Sequence, residues 1–196
     1  MIKKISILLS LILTITMADS IRPIIQLGFT SGGDELVTVE HDYSSNYTID
    51  AGDGINMEVG MAIDNPLNNF ETQLLIGYKF DSDSASNGDI TWSTIPISAL
   101  AFIKTQGWKF GGGFTYHINP SLEGDFSGGV RIRDDFDDAL GAIIQIEYEP
   151  IDAFAIGVRG TFIEYQLTNQ PSQKANGNSV GLVASFKFGG TQSRYR

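Results

Sequence analysis

The sequence predicts an all-β fold, an eight-stranded antiparallel up-and-down β-barrel, on three observations. Apolar and polar side chains alternate with period 2 in eight separate segments, the pattern of an extended strand whose two faces meet different surroundings. The connections between these segments alternate between long and short without exception. The two faces also differ in kind, one gathering large aliphatic and aromatic residues, the other glycines, amides and charges.

The first strand is read over residues 21–29, with Gln26 on its polar face, and the second over 55–63, with Asn56 and Glu58 there. In the third, 70–80, Phe70, Thr72, Leu74, Ile76, Tyr78 and Phe80 oppose Glu71, Gln73, Leu75, Gly77 and Lys79. The fourth, 90–103, is less regular. Ile95, Ile97, Ala99, Ala101 and Ile103 share one face, which leaves Leu100 and Phe102 on the other and Pro96 within the strand. Proline removes a ladder donor, so a bulge or frayed end is expected near Pro96. The fifth strand, 108–118, has Lys109, Thr115 and His117 on its polar face; the sixth, 140–148, has Gln145 and Glu147. The seventh, 154–162, has Arg159 and Thr161, and the eighth, 180–188, has Ser185 and Lys187. Residues 31–53, 81–89, 119–137 and 167–178 read as long polar loops, and 64–69, 104–107 and 150–153 as short turns. Asp64-Asn65-Pro66 and Pro150-Ile151-Asp152 favour tight reversals. A closed meander has this rhythm, with short turns and both termini at one end.

Composition narrows the function classes. The 196 residues allow one domain. A formal net charge of −10, with no cluster of Lys and Arg, excludes nucleic acid as a partner, since its phosphates demand such a cluster. The absence of cysteine excludes a disulfide framework, a thiolate metal site, a Cys nucleophile and a lipoprotein anchor. Residues 1–18 stand apart. Lys3 and Lys4 precede an uncharged, largely apolar run ending in Thr16-Met17-Ala18, the form of an export signal cleaved after Ala18. That run is shorter than the ~20 apolar residues of a membrane-spanning helix. Without residues 1–18, eleven bases face 23 acids, a net charge of −12. The expected division is a signal peptide at 1–18, a barrel over 19–188 and a short tail at 189–196.

Alternation alone does not say which face lies inside. An eight-stranded barrel has an interior that side chains just fill, and aromatic residues from nearly every strand would overfill it. With the polar face inward, Glu58, Glu71 and Glu147 can pair with Lys79, Lys109, Arg159 and Lys187, and the glycines beside them make room. Unpaired charges in a confined interior cost several kcal/mol each, so a matched set is what the interior requires. The apolar face then points outward as an aliphatic belt. Phe29, Phe70, Tyr78, Phe80, Trp108, Tyr116, Tyr148, Phe154, Phe162 and Phe188 stand toward its edges, as interfacial girdles do in a transmembrane barrel.

On these features the sequence resembles the small bacterial outer-membrane β-barrels that include OmpA, OmpX and OmpW. The resemblance covers nearly all of the chain after Ala18 and extends to Val180-Gly181-Leu182-Val183-Ala184-Ser185-Phe186-Lys187-Phe188, which looks like the terminal signal read by the barrel assembly machinery. Members usually end on that aromatic, whereas here Gly189 to Arg196 follow Phe188. The resemblance implies export to the outer membrane, contact with its lipid and lipopolysaccharide, and a monomer. It implies a structural or interaction role, with a narrow channel or small-molecule conduit as the alternative.

Two barrel enzymes, a lipid A palmitoyltransferase and a lipid A deacylase, share this general form, and each uses a His with a Ser nucleophile. His41 stands near Asp42, Ser44 and Ser45, but neighbours on an extended segment point to opposite sides, so a solvated acidic loop is the stronger reading. His117 faces the lumen, and Asn119 occupies the place where the deacylase pattern has Ser. No catalytic residue is assigned, and no cofactor is expected. The acids of the first long loop, and Asp134, Asp135, Asp137 and Asp138, lack the spacing of a calcium loop and read as a solvated rim, able to bridge through divalent ions to lipopolysaccharide phosphates. Val37-Thr38-Val39 has the pattern of a hairpin extension above the membrane.

Overall fold

The computed structural model describes residues 20–39, 47–65, 69–85, 88–126 and 130–189. The expected signal peptide and the tail after Gly189 lie outside the described residues. Eight long strands are β1 (Ser20–Ser31), β4 (Gly54–Asn65), β5 (Phe70–Ala85), β6 (Gly88–Thr105), β7 (Trp108–Phe126), β9 (Ala139–Ile151), β10 (Phe154–Phe162) and β13 (Ser179–Lys187). Each pairs antiparallel with the strand that follows it in this series, and β1 pairs with β13, so the sheet closes on itself. The registers set the pairs across the wall: Gln26 faces Glu58 on one side and Ser185 on the other, and Leu100 faces Gly113 across β6 and β7. The predicted up-and-down barrel is the fold, and closure leaves no free edge in its wall.

The long connections, read as polar loops with a hairpin extension at Val37-Thr38-Val39, carry paired strands. β5 and β6 continue as a paired ladder to Ala85 and Gly88, and β7 runs to Phe126, where it pairs with β8 (Val130–Asp135). The first connection forms a separate hairpin of β2 (Glu35–Val39) and β3 (Tyr47–Asp50), and the last forms β11 (Glu164–Gln166) with β12 (Lys174–Asn176). Apart from β2, whose Val37-Thr38-Val39 the sequence singled out, polar composition hid these strands because strand pairing outside the wall does not require an apolar face on every residue. Buried side chains from the hairpins then build a core of their own: Ile49, Ile90, Trp92, Leu122, Ile163, Tyr165 and small residues between them.

Local backbone features follow the sequence. The register of β6 against β7 slips by one residue between Ser93 and Ile95, next to Pro96, which has no ladder donor to offer. On β7 the bulge is taken up at Asn119, whose φ of 49° suits an asparagine. At the other end, β6 and β7 are joined through Gln106 (φ 48°) and Gly107 (φ 82°), both left-handed, the backbone of a two-residue hairpin turn.

Candidate functional site

The barrel places the two faces as its alternation requires. Large apolar residues on the outside are open: Leu140 is 69% exposed and Phe114 64%. Glu58, Glu71, Glu147 and Lys109 on the inside are fully buried. Of the ten aromatics singled out, Phe29, Tyr78, Phe80, Trp108, Tyr116, Tyr148, Phe162 and Phe188 are exposed, whereas Phe70 and Phe154 are half-buried. Phe154 owes its cover partly to Phe186, 5.2 Å away between ring centres. Trp108 and Tyr148 lie 5.1 Å apart near the short-turn end, and Tyr78 stacks on Phe80 toward the other.

Inside, the charges form two groups. Near the short turns, Lys109 lies 3.0 Å from Glu71 and is also paired with Glu147; Lys187 lies 2.8 Å from Glu71. Four residues outside the expected set join them. Glu149 lies 2.5 Å from Lys187 and 3.4 Å from Lys104, Lys104 lies 3.0 Å from Asp64, and Asp64 pairs with Arg22 at 2.5 Å. Arg22, Asp64, Lys104 and Glu149 share the inward parity of their strands; Arg22 lies within the strand read over 21–29, and extending the alternation by one step into each turn would have found the other three. Further up, Arg159 pairs with Glu58 at 2.6 Å and donates to Gln145 at 2.6 Å and to Gln26. Gln26 and Gln145 also donate to Glu147, and so join the two groups into one network. Lys79 differs from the role expected for it: its ammonium donates to the carbonyl of Gly52 at 2.5 Å, at the base of the outer hairpins.

Apolar packing and missing side chains complete the filling. Ile24, Leu75, Leu100, Phe102 and Ile143 form a cluster beside the network, and Lys109 sits 5.1 Å from the Phe102 ring centre. A Cβ on Gly77 would come within 2.7 Å of Glu58 Cγ, and one on Gly111 within 2.5 Å of Phe102, so these glycines vacate the volume their neighbours occupy. Between the network and the outer core lies a polar cavity of about 20 Å³, lined by Glu58, Lys79, His117 and Arg159 among others, with room for about one water. An open vestibule of about 550 Å³ between the turns at Gln106 and Ile151 reaches Lys109 from the short-turn end.

The long-loop end is closed by the outer core. Trp92 and Tyr165 are fully buried there, edge-on to each other at 5.3 Å, and Phe136 packs edge-on to Trp92 at 5.2 Å. His117 meets this cap from below, its Nδ1 2.7 Å from the Tyr165 hydroxyl. His41, Ser44 and Ser45 lie outside the described residues. The acidic rim is tied into the hairpins: Asp138 accepts from Tyr116 (3.1 Å) and the Asn119 amide (3.0 Å), and Asp137 from Thr168 (2.8 Å). Asp34 accepts from the Asn176 amide at 2.9 Å. Partial burial, reinforced by Asp53 and Glu35, pushes the carboxyl of Asp50 above its ordinary range.

No protein-family profile and no curated protein sequence matches the chain. Among solved structures it is similar to Ail, the attachment invasion locus protein of Yersinia pestis, crystallised with the heparin analogue sucrose octasulfate. The TM-score is 0.54 at 10% identity, over 86% of this chain and 97% of that one. It also matches Neisserial surface protein A, with a TM-score of 0.47 at 12% identity over 87% and 99% of the two chains. The likeness is one of fold: like Ail, the chain is a closed eight-stranded antiparallel β-barrel.

Proposed function

We propose that the protein lies in the outer membrane as a sealed, non-conducting barrel whose outer hairpins form its working surface. The observation that carries this reading is the buried lumen. Glu58, Glu71, Gln26, Gln145, Glu147 and Lys109 are all closed to water, and the Trp92 and Tyr165 cap lies above them. An aqueous path would have to break ion pairs and displace packed apolar groups at once. Membrane placement is supported by the belt of exposed Leu, Ile, Val, Met and Phe around the whole barrel, which would be unfavourable in water and is what hydrocarbon accepts. The hairpins then face the outside, among lipopolysaccharide, and the short turns face the periplasm. The barrel acts as a monomer, inserted by the assembly machinery from its final strand, and no catalytic role is assigned.

The outer surface is acidic. Among the described residues beyond the belt on the hairpin side, fourteen acids stand with three bases, Arg131, Arg133 and Lys174. A sulfated sugar such as the one in the Ail crystal would therefore meet repulsion here. The test is a membrane fraction run on SDS gels with and without boiling, followed by planar-bilayer recording of the purified protein. A migration shift on boiling and no discrete current steps are expected. Steps that vanish on Lys109→Glu would replace this reading with the conduit, and a change in lipid A acyl number on expression would replace it with an enzyme.

A further inference from the structure

We propose that the outer face binds a cationic peptide segment that seats one apolar side chain in a cleft between three of the hairpins. The proposal rests on the reading that the hairpins face outward. The cleft, about 180 Å³, forms where β2, the β7 and β8 pair, and the β11 and β12 pair meet. Leu36, Leu122, Phe136 and Ala175 supply apolar surface there, and all four belong to or pack on the cap core, so the cleft is an opening in a packed apolar body. A cavity of about 150 Å³ lined by such residues holds a benzene, which sets the scale at one large aliphatic or aromatic side chain.

The rim decides the charge of the occupant. Glu35 and Asp134 stand at the cleft. Lys174, the cation there, is engaged by Glu164 at 2.6 Å. The acidity continues on both sides of the cleft, to Asp34 next to Glu35 and to Asp137 beyond β8. The imbalance is confined to this end of the molecule. In the lumen and at the inner mouth, Arg22, Lys79, Lys104, Lys109, Arg159 and Lys187 are matched by six acids. The hairpin end carries fourteen acids and three bases among its described residues, a net of −11. An apolar floor rewards an apolar group, and an excess of acids on either side, with Lys174 already paired to Glu164, rewards positive charge flanking that group. A peptide with basic residues on both sides of an aromatic residue has this pattern; an amphiphile with one charged head does not.

The full chain folded in nanodiscs of uncharged lipid is titrated with three fluorescent peptides: Lys-Lys-Phe-Lys-Lys, the same peptide with Ala at its centre, and Glu-Glu-Phe-Glu-Glu. The Phe peptide is expected to bind at least tenfold more tightly than the Ala peptide, and the Glu peptide not at all. Ala175→Trp fills the cleft and should erase the preference for Phe while leaving the Ala peptide's affinity in place. Glu35→Lys with Asp134→Lys should weaken both basic peptides at least tenfold and flatten their salt dependence. Each variant is first checked for heat-modifiable migration. If Ala175→Trp fails that check, the charge variant, confined to exposed positions, decides. Equal affinity for the Phe and Ala peptides on the native barrel overturns the proposal, as does a preference for Phe that survives Ala175→Trp, or self-association through the cleft without peptide. Outward orientation is tested separately by sided labelling, so a cleft that binds peptide but faces the periplasm would sink the orientation and leave the binding chemistry standing.

Discussion

At the scale of single residues, the lumen is governed by pairing. Glu58 and Arg159 sit 2.6 Å apart with both side chains buried, out of reach of bulk water. Removing one partner strands the other, which costs about 3–5 kcal/mol, whereas removing both in favour of packed apolar groups is close to neutral. Arg159→Met is therefore expected to destabilise the barrel by about 3–5 kcal/mol, and the double variant Glu58→Leu with Arg159→Met to recover most of that loss. Urea unfolding in lipid vesicles, followed by tryptophan fluorescence, measures both; equal destabilisation of single and double variants would show that the pair is not what holds this level of the lumen. The charged residues Glu58, Glu71, Lys109, Glu147, Arg159 and Lys187 were legible in the sequence because each keeps strict parity within an apolar strand. Lys79 keeps the same parity and still departs, because its partner, the Gly52 carbonyl, comes from the β3 to β4 connection, where no periodicity reports position.

At the scale of elements, each strand is set by what its two faces meet, and each turn by its backbone. The β6 to β7 turn places Gln106 at φ 48°, a conformation in which a residue with Cβ is disfavoured and asparagine is tolerated better than most. Gln106→Asn is expected to stabilise the barrel by about 0.5–1 kcal/mol without altering its fold, read as a shift of the unfolding midpoint at unchanged slope. Strand cores were legible because a one-residue slip would turn every Phe and Ile into the lumen. Strand ends were not. Beyond the belt the ladder continues through residues such as Asp83, Glu123 and Asp125, where polar residues outnumber the inward Ile90, Trp92 and Leu122 and blur the hydrophobic pattern. Those extensions bring Trp92, Leu122 and Phe136 above the lumen and so create the cap.

For the whole molecule, charge and hydrophobicity are sorted by height: a nearly neutral interior, an apolar belt, and an acidic outer end. This polarity predicts orientation. The chain has no cysteine, so single cysteines report position cleanly. Ser172→Cys, on the last outer hairpin, is expected to react with a membrane-impermeant maleimide on intact cells. Asp152→Cys, on a short turn, should react only after the outer membrane is opened. Labelling with the opposite preference would invert the topology.

The sequence by itself determined the number of strands, their order, their facing and the need for matched charge inside, because period 2 and residue kind constrain each strand locally. It also determined the acidity of the outer loops. Only the tertiary structure decided which charges meet, that the long connections are hairpins, and that these hairpins converge on an aromatic cap with a cleft in its side. Those features depend on residues far apart in the chain coming together, such as His117 bonded to Tyr165, or Leu36 and Ala175 lining one cleft, and no local pattern encodes a distance across a barrel.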